Sequence, residues 1–153
     1  MVEYFHDKQE ERKTMQTWHK ELNFDNTDTL TNALFAEDSV FFDIETTGFS
    51  PVNTSLYLIG CARRKGNLIC IDQFFADTPD EERLILSAFL ELLKPYRTLI
   101  TFNGLGFDIP YLTAKCQTYG MPAPFLEFSN LDIFRALSKF KKIFKELKKV
   151  INH

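Results

Sequence analysis

The chain has 153 residues, 44% of them hydrophobic and 25% charged, which is enough for one domain with a sizeable core. Its opening "MVEYFHDKQEERK" lacks the apolar core of a secretory signal, and no run approaches the roughly 18 apolar residues of a membrane span, so a cytoplasmic protein is expected. The net charge of −3 hides an asymmetry. Residues after Asp132 carry +6 and residues 1–132 carry −9, so the tail is either a solvated helix face or a footprint for a phosphate backbone.

Residues 1–22 read as helical and polar, with Tyr4, Phe5, Met15, Trp18 and Leu22 loosely periodic, and a short helix follows near Thr29–Phe35. Residues 1–36 are thus expected as a helical flank to a main unit over 37–153. "SVFFDIE", from Ser39, is a strand that is apolar on both faces until its acids interrupt it, as in the centre of a sheet. "SLYLIGCARR" and "NLICIDQFF" flank the turn "KGN" and read as an antiparallel hairpin. "TPDEERLILSAFLELLKPY" is a helix, with Thr78 as cap, Pro79 in the first position and Glu81 completing a capping box. Its Leu84, Ile85, Ala88, Phe89, Leu92 and Leu93 form one face. "RTLITF" is a fourth strand, and "FDIPYLTAKCQTYG" a helix ended by Gly120. "LDIFRALSKFKKIFKELKKVI" closes the chain as an amphipathic helix, its stripe being Phe140, Ile143, Phe144, Leu147, Val150 and Ile151. The order implies an α/β domain: a mixed sheet, antiparallel hairpin plus parallel strand, flanked by helices.

Asp43 and Glu45 stand two apart on a strand and so share a face near its end. Thr46, Thr47 and Gly48 follow as an open turn. Two carboxylates in an apolar strand need a shared partner, and a hard divalent cation such as Mg²⁺ or Mn²⁺ supplies it through oxygen ligands. The bland alternative is a solvated strand end or pairing with lysine. Just past the fourth strand come Asn103, Gly104, Gly106 and Asp108, at the opening of the next helix. Ligands in α/β sheets gather beyond the carboxyl ends of strands. If the first and fourth of these strands are neighbours, Asp108 joins Asp43 and Glu45. Cys61, Cys70 and Cys116 are odd in number and in no C-x-x-C spacing. They read as reduced core residues, not as disulfides or zinc ligands. His6, His19 and His153 read as surface residues.

"DIETTG" resembles the first motif of the DEDD-type 3′→5′ exonucleases of the ribonuclease H-like superfamily, and "FNGLGFD" resembles the second. The form "NGxxFDxPYL" and the later "LDIF" are most similar to the YprB-type branch and to proofreading domains of family B polymerases. The resemblance spans roughly Ser39 to Arg135 and implies phosphodiester hydrolysis with two ions, Mg²⁺ or Mn²⁺, about 4 Å apart. It implies that Asp43 bridges both ions, that Glu45 holds the water-activating one, and that Asp108 supports the second. Thr46, Thr47, Gly48, Asn103 and Phe107 would line the pocket of the terminal nucleotide, although turn formation and core packing would equally explain the threonines and Phe107. The implied partner is nucleic acid, at a single-stranded 3′ end, with no membrane.

The family's third motif, a Tyr or His followed four residues later by Asp, is absent from this sequence. Asp132 matches the "LD" element instead, with hydrogen bonding near the site or helix capping as its expected role. The fold is therefore expected to lack its final helices, and the chain alone to have little or no activity. The alternatives are a non-catalytic nucleic-acid-binding or regulatory module of the same fold, and a unit that meets a second copy or a partner domain through its closing helix.

Overall fold

In the computed structural model, residues 15–24 and 29–141 are described. The elements in chain order are β1 (Gln16–Asn23), α1 (Thr29–Leu34), β2 (Ser39–Thr46), β3 (Leu56–Lys65) and β4 (Leu68–Phe75), then α2 (Glu82–Leu93), β5 (Thr98–Thr101), α3 (Asp108–Thr118) and β6 (Ser129–Asp132). Helical backbone over 133–141, here α4, follows β6 directly. One six-stranded sheet runs in the order β1-β4-β3-β2-β5-β6. Its first four strands pair antiparallel, while β2/β5 and β5/β6 are parallel. The fold is mixed α/β, as the sequence implies. No helix among the described residues is long and apolar enough to cross a membrane.

The alternation of β2 sets the two faces. Val40, Phe42 and Ile44 are buried, and with Leu56, Ile59 and Cys61 they meet Ile85, Leu86 and Phe89 of α2 and Leu112 of α3 in a single core. The Phe42 and Phe89 rings lie 5.1 Å apart, and Phe89 stacks in turn on Phe125. Phe41, Asp43 and Glu45 point to the other side. There Phe35, Phe41, Ala62, Ile100, Leu131 and Leu137 bound an apolar cavity between sheet and helices.

Several local devices follow the sequence. Gly66 takes φ +59° in the β3–β4 turn, and Gly120 takes φ +63° just after α3. At that helix end the Met121 and Gly120 amides donate to the Cys116 and Gln117 carbonyls, a Schellman motif that requires a left-handed residue. At the α2 end the expected capping is only half realised. Thr78 makes no side-chain cap, a single 3-10 turn (Pro79–Glu81) precedes the helix, and the Glu81 carboxylate accepts from the Asp77 amide.

Four expectations are corrected. Residues 16–23 are not helical: they form β1, in register with β4 from Gln16↔Phe75 to Asn23↔Leu68. All eight residues are exposed, so no burial pattern announces an edge strand whose only support is its neighbour's backbone. The "LD" of "LDIF" belongs to β6, which pairs parallel with β5, and helical backbone begins at 133 rather than Leu131. The buried stripe of α2 is rotated towards Glu82, Leu86 and Phe89, leaving Leu84, Ala88 and Leu92 only half-buried, because Glu82 is itself drawn into the core. Finally, Asp43 and Glu45 are exposed, not buried, since the β2 pleat turns them away from the core. Residues 1–14 of the expected first helix, and all of the closing helix's stripe but Phe140, lie outside the described residues. Phe140 is exposed.

Candidate functional site

The parallel pairing of β2 with β5, through Ser39↔Thr98, Val40↔Leu99 and Phe41↔Ile100, brings the chain leaving β5 to the carboxyl end of β2. Asp108 stands there as the first residue of α3 and is buried. Its Oδ1 accepts a hydrogen bond of 3.2 Å from the Ile44 amide, the peptide group between Asp43 and Glu45. Three acids separated by up to 65 positions thus lie towards one end of the sheet, with Asp43 near enough to Asp108 to act on its charge. Across from Asp43 on β3 is Gly60, and a Cβ built there would meet nothing within 4 Å, so the Asp43 carboxylate borders open space.

The electrostatics of this end are unbalanced. Burial pushes the Asp108 carboxyl up to about 6, and the charges of Asp43 and Asp132 add to the rise, while backbone amides oppose it. None of the groups acting on that carboxyl is cationic. The donor set is all carboxylate oxygen, which fits a hard divalent cation, and the charge of such an ion would offset the upward shift that burial and the neighbouring acids cause. The three carboxylates are not all within 4.8 Å of one another, so the exposed Asp43 and Glu45 side chains would have to turn to hold an ion together with Asp108.

The loop leading into α3 is held by its backbone. Asn103 takes φ +63°, a conformation that asparagine tolerates better than most residues, and its carbonyl accepts from the Gly106 and Phe107 amides. A Cβ at Gly104 would lie 2.4 Å from the Thr101 side chain, and one at Gly106 would lie 2.7 Å from Asn103 Oδ1. Gly104 is therefore required by close approach within the loop, whereas at Gly106 the Asn103 side chain would have to turn aside. Asp132, buried at the end of β6, accepts from the amides of Asn103 (2.9 Å) and Leu105 (3.2 Å). It also accepts from the Arg135 amide in the first turn of α4. It fills both of its expected roles, near the site and as a helix cap.

The threonines are turn formers. Thr46 Oγ1 donates to the Gly48 carbonyl, and Thr47 Oγ1 accepts from the Ser55 amide. Thr54 Oγ1 donates to the Gly48 and Ser50 carbonyls and meets the Tyr111 hydroxyl at 2.8 Å. Phe107 is half-buried, with its ring against Tyr111 on one side and Phe49 on the other. Phe49 is 90% exposed. Sequence reasoning passed over it, though an aromatic directly after "TTG" was a visible signal.

It also missed a buried charge cluster behind the turn. The two carboxylate oxygens of Glu82 lie 2.9 and 3.1 Å from Lys115 Nζ, and they also accept from the Leu56 amide and the Tyr119 hydroxyl. Lys115 donates in addition to the Thr54 carbonyl. Burial and Glu82 push the Tyr119 hydroxyl up to about 12. The loop between β2 and β3 is thereby tied to α2 and α3 from below.

A profile described as the RNase H superfamily matches residues 40–152, most of the chain. The chain belongs to the RNase H superfamily. Its mixed sheet and flanking helices are the RNase H-like fold. Among curated relatives, the DNA polymerase of a Thermococcus species is 29% identical over 94 residues, 60% of this chain and 12% of that protein. DNA polymerase 1 of Aeropyrum pernix is 29% identical over 63 residues, 41% of this chain and 6% of its own length. This RNase H superfamily chain therefore spans only a small part of the polymerases it matches. Among solved structures, the family B DNA polymerase of Pyrobaculum calidifontis has a TM-score of 0.55 at 20% identity, covering 67% of this chain and 16% of that one. The metal-free E. coli ExoI–ssDNA complex has a TM-score of 0.51 at 16% identity, covering 65% and 28%. At these identities the likeness is one of fold.

Proposed function

We propose that this RNase H superfamily chain is a metal-dependent 3′→5′ exonuclease domain of the DEDD type, similar to the YprB-type branch. The observation that carries the reading is the Asp108 carboxylate accepting the amide between Asp43 and Glu45. Satisfying the buried Ile44 amide needs only a neutral acceptor, and the cost of using a carboxylate beside two others is removed by cations. Two ions, Mg²⁺ or Mn²⁺, would supply the polarisation of the scissile phosphate and the activation of water. Asp43, Glu45 and Asp108 would hold them. The Thr46–Thr47–Gly48 turn, Asn103 and Phe107 would line the pocket of the 3′-terminal nucleotide, with turn and loop geometry set by the hydrogen bonds described above. E. coli ExoI, which shares the fold, is seen in complex with single-stranded DNA, and this supports a single-stranded nucleic acid as the substrate here.

A second reading has its own support. No Tyr or His in the sequence is followed four residues later by Asp, and Asp132 is engaged by amides, so a fourth acid is not supplied by these elements. A binding or regulatory module of the same fold would keep the cleft without turnover. The deciding experiment is release of nucleotides from 3′-labelled single-stranded DNA and RNA in Mn²⁺ or Mg²⁺, comparing wild type with Asp43→Ala. Slow turnover lost in the variant supports the exonuclease. Binding without turnover supports the module. Turnover untouched by Asp43→Ala overturns the site.

A further inference from the structure

A separate cluster lies on the opposite face of the sheet, at its outer edge. Cross-strand partners share a face, so the rows His19–Asp72–Cys61–Phe42 and Glu21–Cys70–Arg63–Val40 point towards the core side, away from Asp43 and Glu45. His19 Nδ1 is 2.7 Å from Asp72 Oδ1, and the other oxygen of that carboxylate is fixed by Arg63 Nε at 2.8 Å. Nε2 of the same ring then faces Glu21 Oε1 at 3.5 Å, and Cys70 Sγ lies 3.9 Å from that oxygen. The three ligand atoms all lie within 4.8 Å of one another, the one such group among the described residues.

We propose that His19, Glu21 and Cys70 form a site for a zinc-class cation, with Asp72 as the outer carboxylate, that fastens β1 to β4. The donor set is imidazole nitrogen, carboxylate oxygen and thiolate sulfur, which suits borderline Zn²⁺ and not Mg²⁺ or Mn²⁺. Donors bonded to tetrahedral zinc at the usual lengths stand about 3.3–3.6 Å apart. Here His19 and Glu21 are 3.5 Å apart, Glu21 and Cys70 3.9 Å, and all three within 4.8 Å, so a small inward turn of the Cys70 and His19 side chains completes the set. A histidine whose second nitrogen is held by a carboxylate is the usual arrangement at zinc. Sequence spacing gives no reason to join His19 with Cys70; the β1/β4 register does. The need is also visible: β1 buries no side chain, and its partner is β4 alone, so two ligands from its own residues would fix an otherwise lightly held edge. On binding, the Cys70 thiol releases its proton to solvent and its sulfur donates to the metal, with the fourth position open to water. The competing explanation is an edge ladder of ion pairs, His19–Asp72–Arg63, with Cys70 merely packed beneath it.

Cobalt distinguishes the two. Reduced protein titrated with Co²⁺ in excess Mg²⁺, which holds the acid end, should develop visible tetrahedral bands and a near-ultraviolet thiolate-to-cobalt band that saturate at one equivalent. Zn²⁺ should displace the cobalt, and a thousandfold excess of Mg²⁺ should not. Cys70→Ser should abolish the thiolate band. His19→Ala, an exposed position expected to leave folding intact, should weaken affinity at least tenfold, and Asp72→Asn about tenfold. Asp43→Ala should leave the thiolate-band titration unchanged, which separates this site from the acid end. Zn²⁺ should also slow hydrogen exchange of the β1 amides in wild type and not in His19→Ala. Absence of the thiolate band in folded wild type, its persistence in Cys70→Ser, or unchanged affinity in His19→Ala would overturn the proposal.

Discussion

Two groups of charged side chains sit a few residues apart in this fold and solve opposite problems. Around Glu82 the account closes: Lys115, the Tyr119 hydroxyl and the Leu56 amide all converge on one buried carboxylate. Around Asp108 it stays open: two further acids, a single amide from β2, and a carboxyl raised to about 6. A saturated buried carboxylate is architecture. One that is held among other carboxylates, with no cation acting on it, is what the proposed metal site requires.

The largest effect should come from breaking the closed group. Lys115→Met leaves Glu82 buried without its cation and should cost about 3–5 kcal/mol in urea unfolding. A loss below 1 kcal/mol would show that the pair is not the anchor described. The open group should respond with the opposite sign. Asp108 is 3.8 by its ordinary value and about 6 when folded, so its contribution to stability is fully present below about 4 and is lost as pH rises through 6. Asp108→Asn keeps an acceptor for the Ile44 amide and removes the buried charge. It should stabilise the metal-free protein by about 3 kcal/mol at pH 7.5, and by next to nothing at pH 3.5. Thermal melts at the two pH values, with and without Mn²⁺, test this: the ion should raise the wild-type midpoint at pH 7.5 and leave that of the variant in place. A destabilised Asp108→Asn at pH 7.5 would place the residue with Glu82. The smallest effect belongs to the turn between the groups. Thr47→Val removes the acceptor for the Ser55 amide at an exposed site and should cost about 0.5–1 kcal/mol by chemical denaturation.

What could be read from the sequence follows from where the information resides. β2, the β3–β4 hairpin, α2, β5 and α3 carry periodicity, caps and turn residues within their own segments, and each appears where expected. Asp43 and Glu45 share a face because a pleat has period two, and Asp108 reaches them because β2 and β5 are adjacent. β1 and β6 were not legible: the first buries nothing, the second is four residues long, and both exist by virtue of partners distant in sequence. Glu82 and Lys115 were hidden for the same reason. Each looks like an ordinary helix surface charge until the packing of α2 against α3 places them face to face. The exposure of Asp43 and Glu45 was misjudged because apolar neighbours on both sides suggested a strand covered on both faces up to its end.

Asp132 carries a consequence beyond its own contacts. One carboxylate grips Asn103 and Leu105 on one side and the Arg135 amide on the other, so the chain entering α3 and the chain leaving β6 share a single rivet. Neither can shift without dragging the other. Lengthening that side chain by one methylene would displace both at once, and no repair confined to either segment could restore the alignment.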